Sequence, residues 1–104
     1  MKRFKIVVSS SALIDVKEAA EWYNSQQKGL GKKFKEDIKL AINSIVLNPF
    51  FASVKYENIR TASCKHFPYS IHFEIDEPAK TVRIAAVFHF NRKPFWLEKD
   101  SGTI

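Results

Sequence analysis

The strongest constraint on the fold is a period-two pattern in the last third of the chain. Apolar positions alternate with polar ones on both sides of a turn over residues 76–80. The apolar positions are Ile71, Phe73, Ile75, Val82, Ile84, Ala86 and Phe88. This alternation predicts an antiparallel β-hairpin with one buried face. Pairing Ile75 with Val82 keeps both apolar sets on that face and places Pro68 near His89.

The first residues predict a β-strand followed by a helix. Residues 4–8 alternate as a strand does, and Ser9 is the first of three consecutive serines that can cap a helix. An apolar stripe at helical spacing then consists of Ala12, Val16, Ala19, Ala20 and Tyr23. Asp15 is expected on the polar side of this helix, in its first turn, where the helix dipole favours an acid. Gly29 suits a left-handed helix end.

A second helix follows almost at once. Leu30-Gly31 is expected to form a tight connection, after which apolar residues recur at helical spacing from Phe34 to Val46. The helix should end before Asn48-Pro49, because a residue preceding proline is disfavoured in the α region. A connection this short predicts an antiparallel helical hairpin whose apolar stripes face each other and a sheet.

The remaining segments are expected to complete one sheet. Residues 54–57 are compatible with a short edge strand or an irregular loop, and residues 60–67 with an extended segment. Together with the final hairpin they form a meander. The predicted fold class is therefore α+β: an N-terminal strand, an antiparallel helical hairpin, and an antiparallel meander forming one sheet that packs on the helices.

Length and composition indicate one small basic domain. The 104 residues are expected to form a single domain over residues 1–98, with a loose tail over residues 99–104. Cys64 is the only cysteine, which excludes an internal disulfide and favours the cytoplasm. Lys and Arg number 17 against 11 acids, and the net charge of +6 favours anionic partners, although it also serves solubility. No apolar run has membrane-spanning length, so no membrane partner is expected.

The sequence does not have the spacing of a metal or nucleotide site. Cys64 and His66 are followed only by scattered histidines, whereas structural zinc sites use paired ligands from two segments. Gly29 and Gly31 belong to the helix connection, and there is no glycine-rich phosphate loop or nucleophile elbow. We therefore expect neither a metal nor a cofactor.

One set of residues, spread over nearly the whole chain, occurs in a recognisable order. Its members are Ala19, Trp22-Tyr23, Gly29-Leu30-Gly31, Phe34, Asn48-Pro49, Arg60, Phe67-Pro68-Tyr69, Ile71, residues 82–87, His89, Arg92, Pro94 and Trp96. In this order they resemble the RelE/ParE superfamily of bacterial toxin–antitoxin toxins, and they are closer to the ParE branch. The resemblance implies a small toxin that is held inactive by an antitoxin protein wrapped across it.

The superfamily offers two activities. RelE-like members cut mRNA in the ribosomal A site without a metal, and ParE-like members inhibit DNA gyrase by protein binding. For a nuclease, the resemblance implies Arg60 and Arg92 as the arginines and His89 as a proton-transfer group. The C-terminal tyrosine of the nucleases is missing, with Phe95 and Trp96 nearby instead. We therefore favour gyrase inhibition, with no catalytic residue, over cleavage of ribosome-bound mRNA.

The candidate contact residues for the target or the antitoxin share a basic or aromatic side chain. They are Arg60, Lys65, His72, Arg83, His89, Arg92, Phe95 and Trp96. Each also has a structural interpretation. His89 can pack against Pro68, and Arg83 can form a cross-strand pair with Glu74. Trp22 and Tyr23 are expected in the core. A third hypothesis is a non-toxic binding module of the same fold.

Overall fold

The computed structural model describes residues 4–90, which form two helices against one face of a five-stranded sheet. The elements are β1 (Lys5–Val8), α1 (Ser10–Gln26), α2 (Leu30–Leu47), a 3-10 turn (Pro49–Phe51), β2 (Val54–Tyr56), β3 (Ile59–Ser63), β4 (Tyr69–Asp76) and β5 (Thr81–His89). The sheet order is β1-β5-β4-β3-β2. Strand β1 runs parallel to β5, and the other neighbours are antiparallel. The predicted α+β fold is confirmed.

Several sequence-based expectations concern the C-terminal residues. Arg92, Phe95 and Trp96, the domain boundary at residue 98 and the tail over residues 99–104 all lie outside the described residues. Within residues 4–90, neither helix is long and apolar enough to cross a membrane.

The N-terminus of α1 is capped as the sequence predicts. Ser9 has extended backbone angles, and its Oγ accepts a hydrogen bond from the Ala12 N–H at 3.0 Å. Such a cap is typically worth about 1 kcal/mol, because it satisfies a backbone donor that the helix leaves open. The helix therefore begins at Ser10. Asp15 lies beyond its first turn, so the expectation that it lies in the first turn is wrong.

The connection between the helices lies earlier in the chain than predicted, at residues 27–29. Gly29 adopts the left-handed conformation, with a φ of 88°, and α2 begins directly at Leu30. Leu30 and Gly31 are therefore helical residues, and the expectation that they form the connection is wrong. Asn24 Oδ1 accepts the Gly31 N–H at 2.8 Å, so a side chain of α1 satisfies an open donor at the start of α2.

The core lies between the helices and the inner face of the sheet. Its largest fully buried apolar side chains are Phe34, Ile45, Ile71, Phe73, Val82 and Ile84. These residues come from the stripes that the helical and strand periodicities predicted. An aromatic group extends this core, since the rings of Tyr23, Phe67 and Tyr69 all pack against Phe34.

The hairpin of β4 and β5 has the predicted register only near its turn. Ile75 lies opposite Val82, and Phe73 lies opposite Ile84, as the apolar pattern requires. Beyond this pair the register shifts by one residue, and Ala85 is the extra residue on β5. This is a β-bulge, which adds one residue to one strand of a pair.

The bulge overturns the predicted pattern at the far end of β5. Tyr69, and not Pro68, lies opposite His89, while Pro68 accepts the Phe90 N–H at 2.9 Å. Ala86 and Phe88, predicted on the same face as Ile84, point instead to the outer face, the side of the sheet away from the helices. The cause is geometric, because a one-residue shift moves every later side chain to the opposite face.

The segment that the sequence left open as an edge strand or a loop is an edge strand. Residues Val54–Tyr56 form β2 and pair with β3 through an irregular register. A turn at Glu57 and Asn58 connects the two strands, and Glu57 has a φ of 47°. The irregularity allows Tyr56 to contact the outer face, where it meets His72.

Candidate functional site

The bulge in β5 is bonded to the first half of α1. Ser9 Oγ donates to the carbonyl oxygen of Ala85 at 2.9 Å, and Asp15 Oδ2 accepts the Val87 N–H at 3.0 Å. Backbone groups that a bulge removes from the strand ladder need other partners, and these two side chains supply them. Asp15 was predicted on the polar side of the helix. That expectation is wrong, because its carboxylate faces β5.

The bulge also creates a cleft beside α1. With the register shifted, His89 turns toward the helices and its ring lies 5.3 Å from that of Tyr69. The cleft that results measures about 590 Å³. Its lining residues are Asp15, Glu18, Ala19, Trp22, Tyr23, Tyr69, Val87 and His89. It is the candidate functional site, and we call it the α1–β5 cleft.

Aromatic rings form one wall of the α1–β5 cleft. The centroids of Trp22 and Tyr23 are 5.1 Å apart, with the ring planes at 76°, and Tyr23 meets Tyr69 at 6.2 Å. Trp22 is 57% exposed, so the prediction that it belongs to the core is wrong, whereas Tyr23 is half-buried. Burial, reinforced by the neighbouring Tyr69, raises the pKa of Tyr23. Its hydroxyl therefore remains a neutral phenol near neutral pH and is unsuited to act as a base.

Arg60, a predicted nuclease arginine, is engaged near the edge of the sheet. Its Nη1 donates to the carbonyl oxygen of Ala52, and its guanidinium carbon lies 5.3 Å from the centroid of the Phe50 ring. The side chain thus ties β3 to the turn that follows α2.

The structure does not bring Arg60 close to His89. Arg60 pairs with Phe73, whereas His89 pairs with Tyr69, and β3 and β5 are separated by β4. The four-residue offset corresponds to about 13 Å along the strands, and the two strand spacings to about 10 Å across them. The two residues therefore cannot act together on one phosphate. Arg92, the third residue of that set, lies outside the described residues.

The outer face carries His72 and Arg83. His72 is 7% exposed; its Nδ1 lies 2.8 Å from the Tyr56 hydroxyl, and its ring lies 5.1 Å from that of Phe88. Burial lowers the pKa of His72, which favours the neutral ring. Arg83 Nε forms an exposed ion pair with Glu74 Oε1 at 3.0 Å. The predicted cross-strand pair is thus present in the structure.

The buried carboxylate of Asp37 was not predicted from the sequence. Asp37 is 2% exposed, and its Oδ2 accepts the backbone N–H groups of His66 and Phe67 at 2.8 and 3.0 Å. It fixes the loop between β3 and β4, on which Lys65 is exposed. Burial, followed by the charge of Asp37, raises the pKa of Cys64 to about 12. A thiol with such a pKa is a poor nucleophile at neutral pH.

The helical spacing already contained a signal for both missed carboxylates. Asp15 lies three residues after Ala12 and four before Ala19, on the apolar stripe of α1. Asp37 has the same relation to Phe34 and Ala41 on α2. Residues at these spacings share one face of a helix, so each acid points toward the core and needs a donor there. Asp15 was predicted on the polar side of α1 because aspartate is a charged residue.

The α1–β5 cleft is lined by acids, aromatic rings and an imidazole. It holds the carboxylates of Asp15 and Glu18 next to polarisable ring faces. Among residues 4–90, no three metal-ligating side chains cluster together. The described cleft residues offer hydrogen-bond acceptors and stacking surfaces, which suit recognition of a charged group.

Several solved structures of toxins and toxin–antitoxin complexes share this fold. A chromosomal ParDE toxin–antitoxin system from P. aeruginosa matches with a TM-score of 0.72 and 14% identity, over 83% of this chain and 95% of that chain. The RelBE2 toxin–antitoxin complex of Mycobacterium tuberculosis matches with a TM-score of 0.62 and 14% identity, over 86% and 93%. The isolated E. coli RelE toxin matches with a TM-score of 0.64 and 12% identity, over 97% and 99%. At these identities the likeness concerns the fold.

Family membership follows from a match between the sequence and a protein-family model. No curated protein shows significant similarity to the chain. The family model described as the ParE toxin of the type II toxin–antitoxin system parDE matches residues 6–94, which is most of the chain. This match agrees with the fold and with the resemblance to the RelE/ParE superfamily that the sequence indicated. The chain therefore belongs to the ParE family of toxins of type II toxin–antitoxin systems.

Proposed function

We propose that this toxin inhibits DNA gyrase by protein binding and that a cognate antitoxin neutralises it. The observation that carries the proposal is the position of Arg60, which is engaged with Ala52 and Phe50 and lies far from His89. RNA cleavage requires a base and cationic groups that converge on one phosphate. The described residues do not supply such a convergence.

The outer face of the sheet supports the same proposal. Thr61 pairs with His72, and Ser63 pairs with Ser70. The middle of this face therefore carries hydroxyl groups and the buried, neutral imidazole of His72. Arg83 is paired with Glu74, which compensates its charge. Within residues 4–90, this face does not concentrate the cations that would stabilise a phosphorane.

Exposed apolar side chains next to the edge strand favour an antitoxin as a second partner. Phe50 and Phe51 are 45% and 56% exposed, and Leu47 and Val54 flank them in sequence and are also exposed. An exposed apolar group beside an edge strand suits an added strand or an amphipathic helix. Two of the structural relatives belong to toxin–antitoxin systems.

Because gyrase is an intracellular enzyme, we place the toxin in the cytoplasm.

The proposal is tested by a gyrase supercoiling assay with the purified protein. We expect inhibition at low molar ratios of toxin to gyrase, reversed by the acidic product of a neighbouring reading frame. The same preparation is added to translating ribosomes programmed with an mRNA. Unchanged supercoiling together with mRNA cuts would overturn the proposal and support the nuclease. Absence of growth arrest at confirmed expression would instead support a non-toxic binding module.

Variants of the predicted contact residues sharpen the test. Arg92→Ala and Trp96→Ala are expected to weaken gyrase inhibition, because a basic and an aromatic side chain commonly dominate the energy of an interface. Lys17→Ala, an exposed position on α1, is the matched control and should retain full inhibition. Equal loss in all three variants would argue against a specific contact through the C-terminal segment.

We also propose that residues 1–98 are sufficient for activity. Residues 99–104 have the composition of a loose tail, with Asp100, Ser101 and Gly102 in succession. A chain that ends at residue 98 should inhibit gyrase as the full chain does and unfold at the same urea concentration. A lower unfolding midpoint in the shortened chain would assign the last six residues to the folded domain.

A further inference from the structure

We propose that the carboxylate of Asp37 binds a buried water molecule through its Oδ1 atom. Asp37 lies on α2 and is 2% exposed. Its Oδ2 accepts the backbone N–H groups of His66 and Phe67 at 2.8 and 3.0 Å. Its Oδ1 is also buried, but it accepts no hydrogen bond from any group of residues 4–90. The proposal does not depend on whether the toxin acts on gyrase.

A buried carboxylate oxygen needs a hydrogen-bond donor. A charged group loses its hydration on burial, and an oxygen that gains no donor in exchange lowers the stability of the fold. In folded proteins, most buried side-chain oxygens are bonded to a protein group or to an ordered water. Globular proteins hold roughly one buried water per 27 residues, so a domain of this length is expected to contain a few. Oδ1 of Asp37 is the position at which the described residues require one.

The Cys64 thiol offers the water a second partner. Cys64 is 7% exposed, and burial together with the negative charge of Asp37 raises the pKa of its thiol to about 12. The thiol is therefore protonated and close to Asp37, yet it does not donate to Oδ1. A buried water usually makes about three hydrogen bonds, and it can bridge two polar groups that do not meet directly.

Further polar groups lie on the other side of Cys64. Burial raises the pKa of Tyr23, and the neighbouring Tyr69 and Cys64 add to this rise. Cys64 is thus near enough to interact electrostatically with Asp37 on α2 and with Tyr23 on α1. A water at Oδ1 completes a series of polar groups between the two helices, inside a core that is otherwise apolar. It also leaves both oxygens of Asp37 bonded, next to the loop that carries Lys65.

A metal ion fits this position less well than a water does. Within residues 4–90, no three His, Cys, Asp or Glu side chains are placed to hold a metal. Calcium and magnesium need about six or more oxygen ligands, and structural zinc needs about four ligands. Asp37 has one free oxygen to offer. The ligand is therefore a small neutral molecule that donates a hydrogen bond, which is the chemistry of water.

A crystal structure of the full-length toxin tests the proposal directly. We expect an ordered water at about 2.5–3.0 Å from Oδ1 of Asp37, the usual distance for a hydrogen bond between two oxygens. The water should make a second bond to Cys64 or to another polar group of the core. A direct bond between Oδ1 and a protein donor would overturn the proposal. A map that shows other buried waters but none at Oδ1 would do the same.

Relaxation dispersion of water ¹⁷O tests the same site in solution, because it detects only water that the protein holds for a long time. Asp37→Leu keeps nearly the shape of the side chain and removes both acceptors, so the amplitude should fall by the equivalent of about one water. Glu36→Gln, an exposed neighbour on α2, is the control and should leave the amplitude unchanged. An unchanged amplitude in Asp37→Leu, with an amide spectrum that shows a folded protein, would contradict the proposal. If Asp37→Leu does not fold, the crystal structure of the parent decides.

Discussion

Two carboxylates lie on the apolar stripes of their helices and hold backbone groups of other elements. Asp15 accepts the Val87 N–H of β5, and Asp37 accepts the N–H groups of His66 and Phe67. A hydrogen bond to a charged group typically contributes about 1.5–3 kcal/mol, because the charge strengthens the bond. Each acid therefore acts as a cross-link between a helix and the sheet region.

Removing the Asp37 carboxylate is expected to loosen the β3–β4 loop. Asp37→Ala leaves two backbone donors without their acceptor, and we expect the free energy of unfolding to fall by about 2–3 kcal/mol in urea denaturation. Asp37→Asn keeps one acceptor oxygen and should cost less. Glu36→Ala, an exposed neighbour on the same helix, is the control. A loss below about 0.5 kcal/mol in Asp37→Ala, the usual limit for surface substitutions, would contradict the anchoring role.

Cys64 is expected to be unreactive in the folded protein. Its pKa is raised from 9.0 to about 12, so at pH 8 the thiol stays protonated, and burial restricts access. Ellman's reagent should modify Cys64 slowly at pH 8 in the native protein and rapidly in guanidinium chloride. Because the unfolded thiol ionises near pH 9.0, the contribution of this group to the free energy of unfolding is fully present below that pH. The contribution is lost as the pH rises toward about 12. Fast native modification at pH 8 would contradict the raised pKa.

At the scale of elements, close contact between the helices depends on Gly31. A Cβ at this position would lie 2.4 Å from the Ala20 carbonyl oxygen and 2.8 Å from the Asn24 amide. No real Cβ atom makes a contact of 2.4 Å with a backbone atom, so α1 and α2 would have to separate. The left-handed Gly29 and the hydrogen bond between Asn24 and Gly31 lie at the same junction of the two helices.

We expect Gly31→Ala to destabilise the protein although alanine favours helices. Overpacking commonly costs about 1–3 kcal/mol, against a helix-propensity gain of about 1 kcal/mol. Asn43→Ala, at an exposed position of α2, provides the propensity gain without the clash and should leave stability unchanged or raise it. Thermal unfolding of both variants measures the difference. A higher midpoint for Gly31→Ala than for the parent would show that the helices can separate at little cost.

The bulge in β5 is the second element-scale feature, and its test is local. Asp15→Ala removes the acceptor of the Val87 N–H, so we expect faster hydrogen exchange of that amide. The free energy of unfolding should fall by about 1–3 kcal/mol, the cost of leaving a buried donor unsatisfied. Lys17→Ala, an exposed position of α1 two residues after Asp15, should change neither value. Unchanged protection of Val87 in Asp15→Ala would show that another group holds the bulge.

At the scale of the whole molecule, the longest series of exposed lysines within residues 4–90 lies on α2 and the turn before it. The exposed lysines of α2 and of the turn before it are Lys28, Lys32, Lys33, Lys35 and Lys39. Lys32, Lys35 and Lys39 occur at spacings of three and four, so they share one helix face. On the sheet, the charge of the candidate contact residue Arg83 is compensated by Glu74.

Neutralising this lysine row should weaken binding to polyanions. We expect a variant with Lys32, Lys35 and Lys39 changed to Gln to elute from heparin at lower salt than the parent. The control changes Lys17, Lys55 and Lys80 to Gln, which removes the same charge from scattered exposed sites. Elution at the same salt for both triple variants would mean that net charge, and not the row, governs the interaction.

Local patterns in the sequence were sufficient to predict both helices and the strands β1, β4 and β5. The three-to-four spacing of apolar residues predicted both helices, and Asn48-Pro49 predicted the end of α2 at Leu47. The pairing of Ile75 with Val82 was predicted because apolar and polar residues alternate strictly along both strands in that part of the hairpin. Patterns of this kind depend on interactions within one element or between adjacent ones.

The candidate site, in contrast, depends on contacts between residues far apart in the chain. Ser9 and Asp15 hold a bulge more than 70 residues later, and the bulge turns His89 toward Tyr69. Nothing in the alternation of β5 reveals one extra residue, because a bulge is stabilised by partners outside its strand. The sequence by itself determined both helices, the strands β1, β4 and β5, and the family. Only the tertiary structure decided which side chains meet in the α1–β5 cleft, since the register of β5 is set by its bonds to α1.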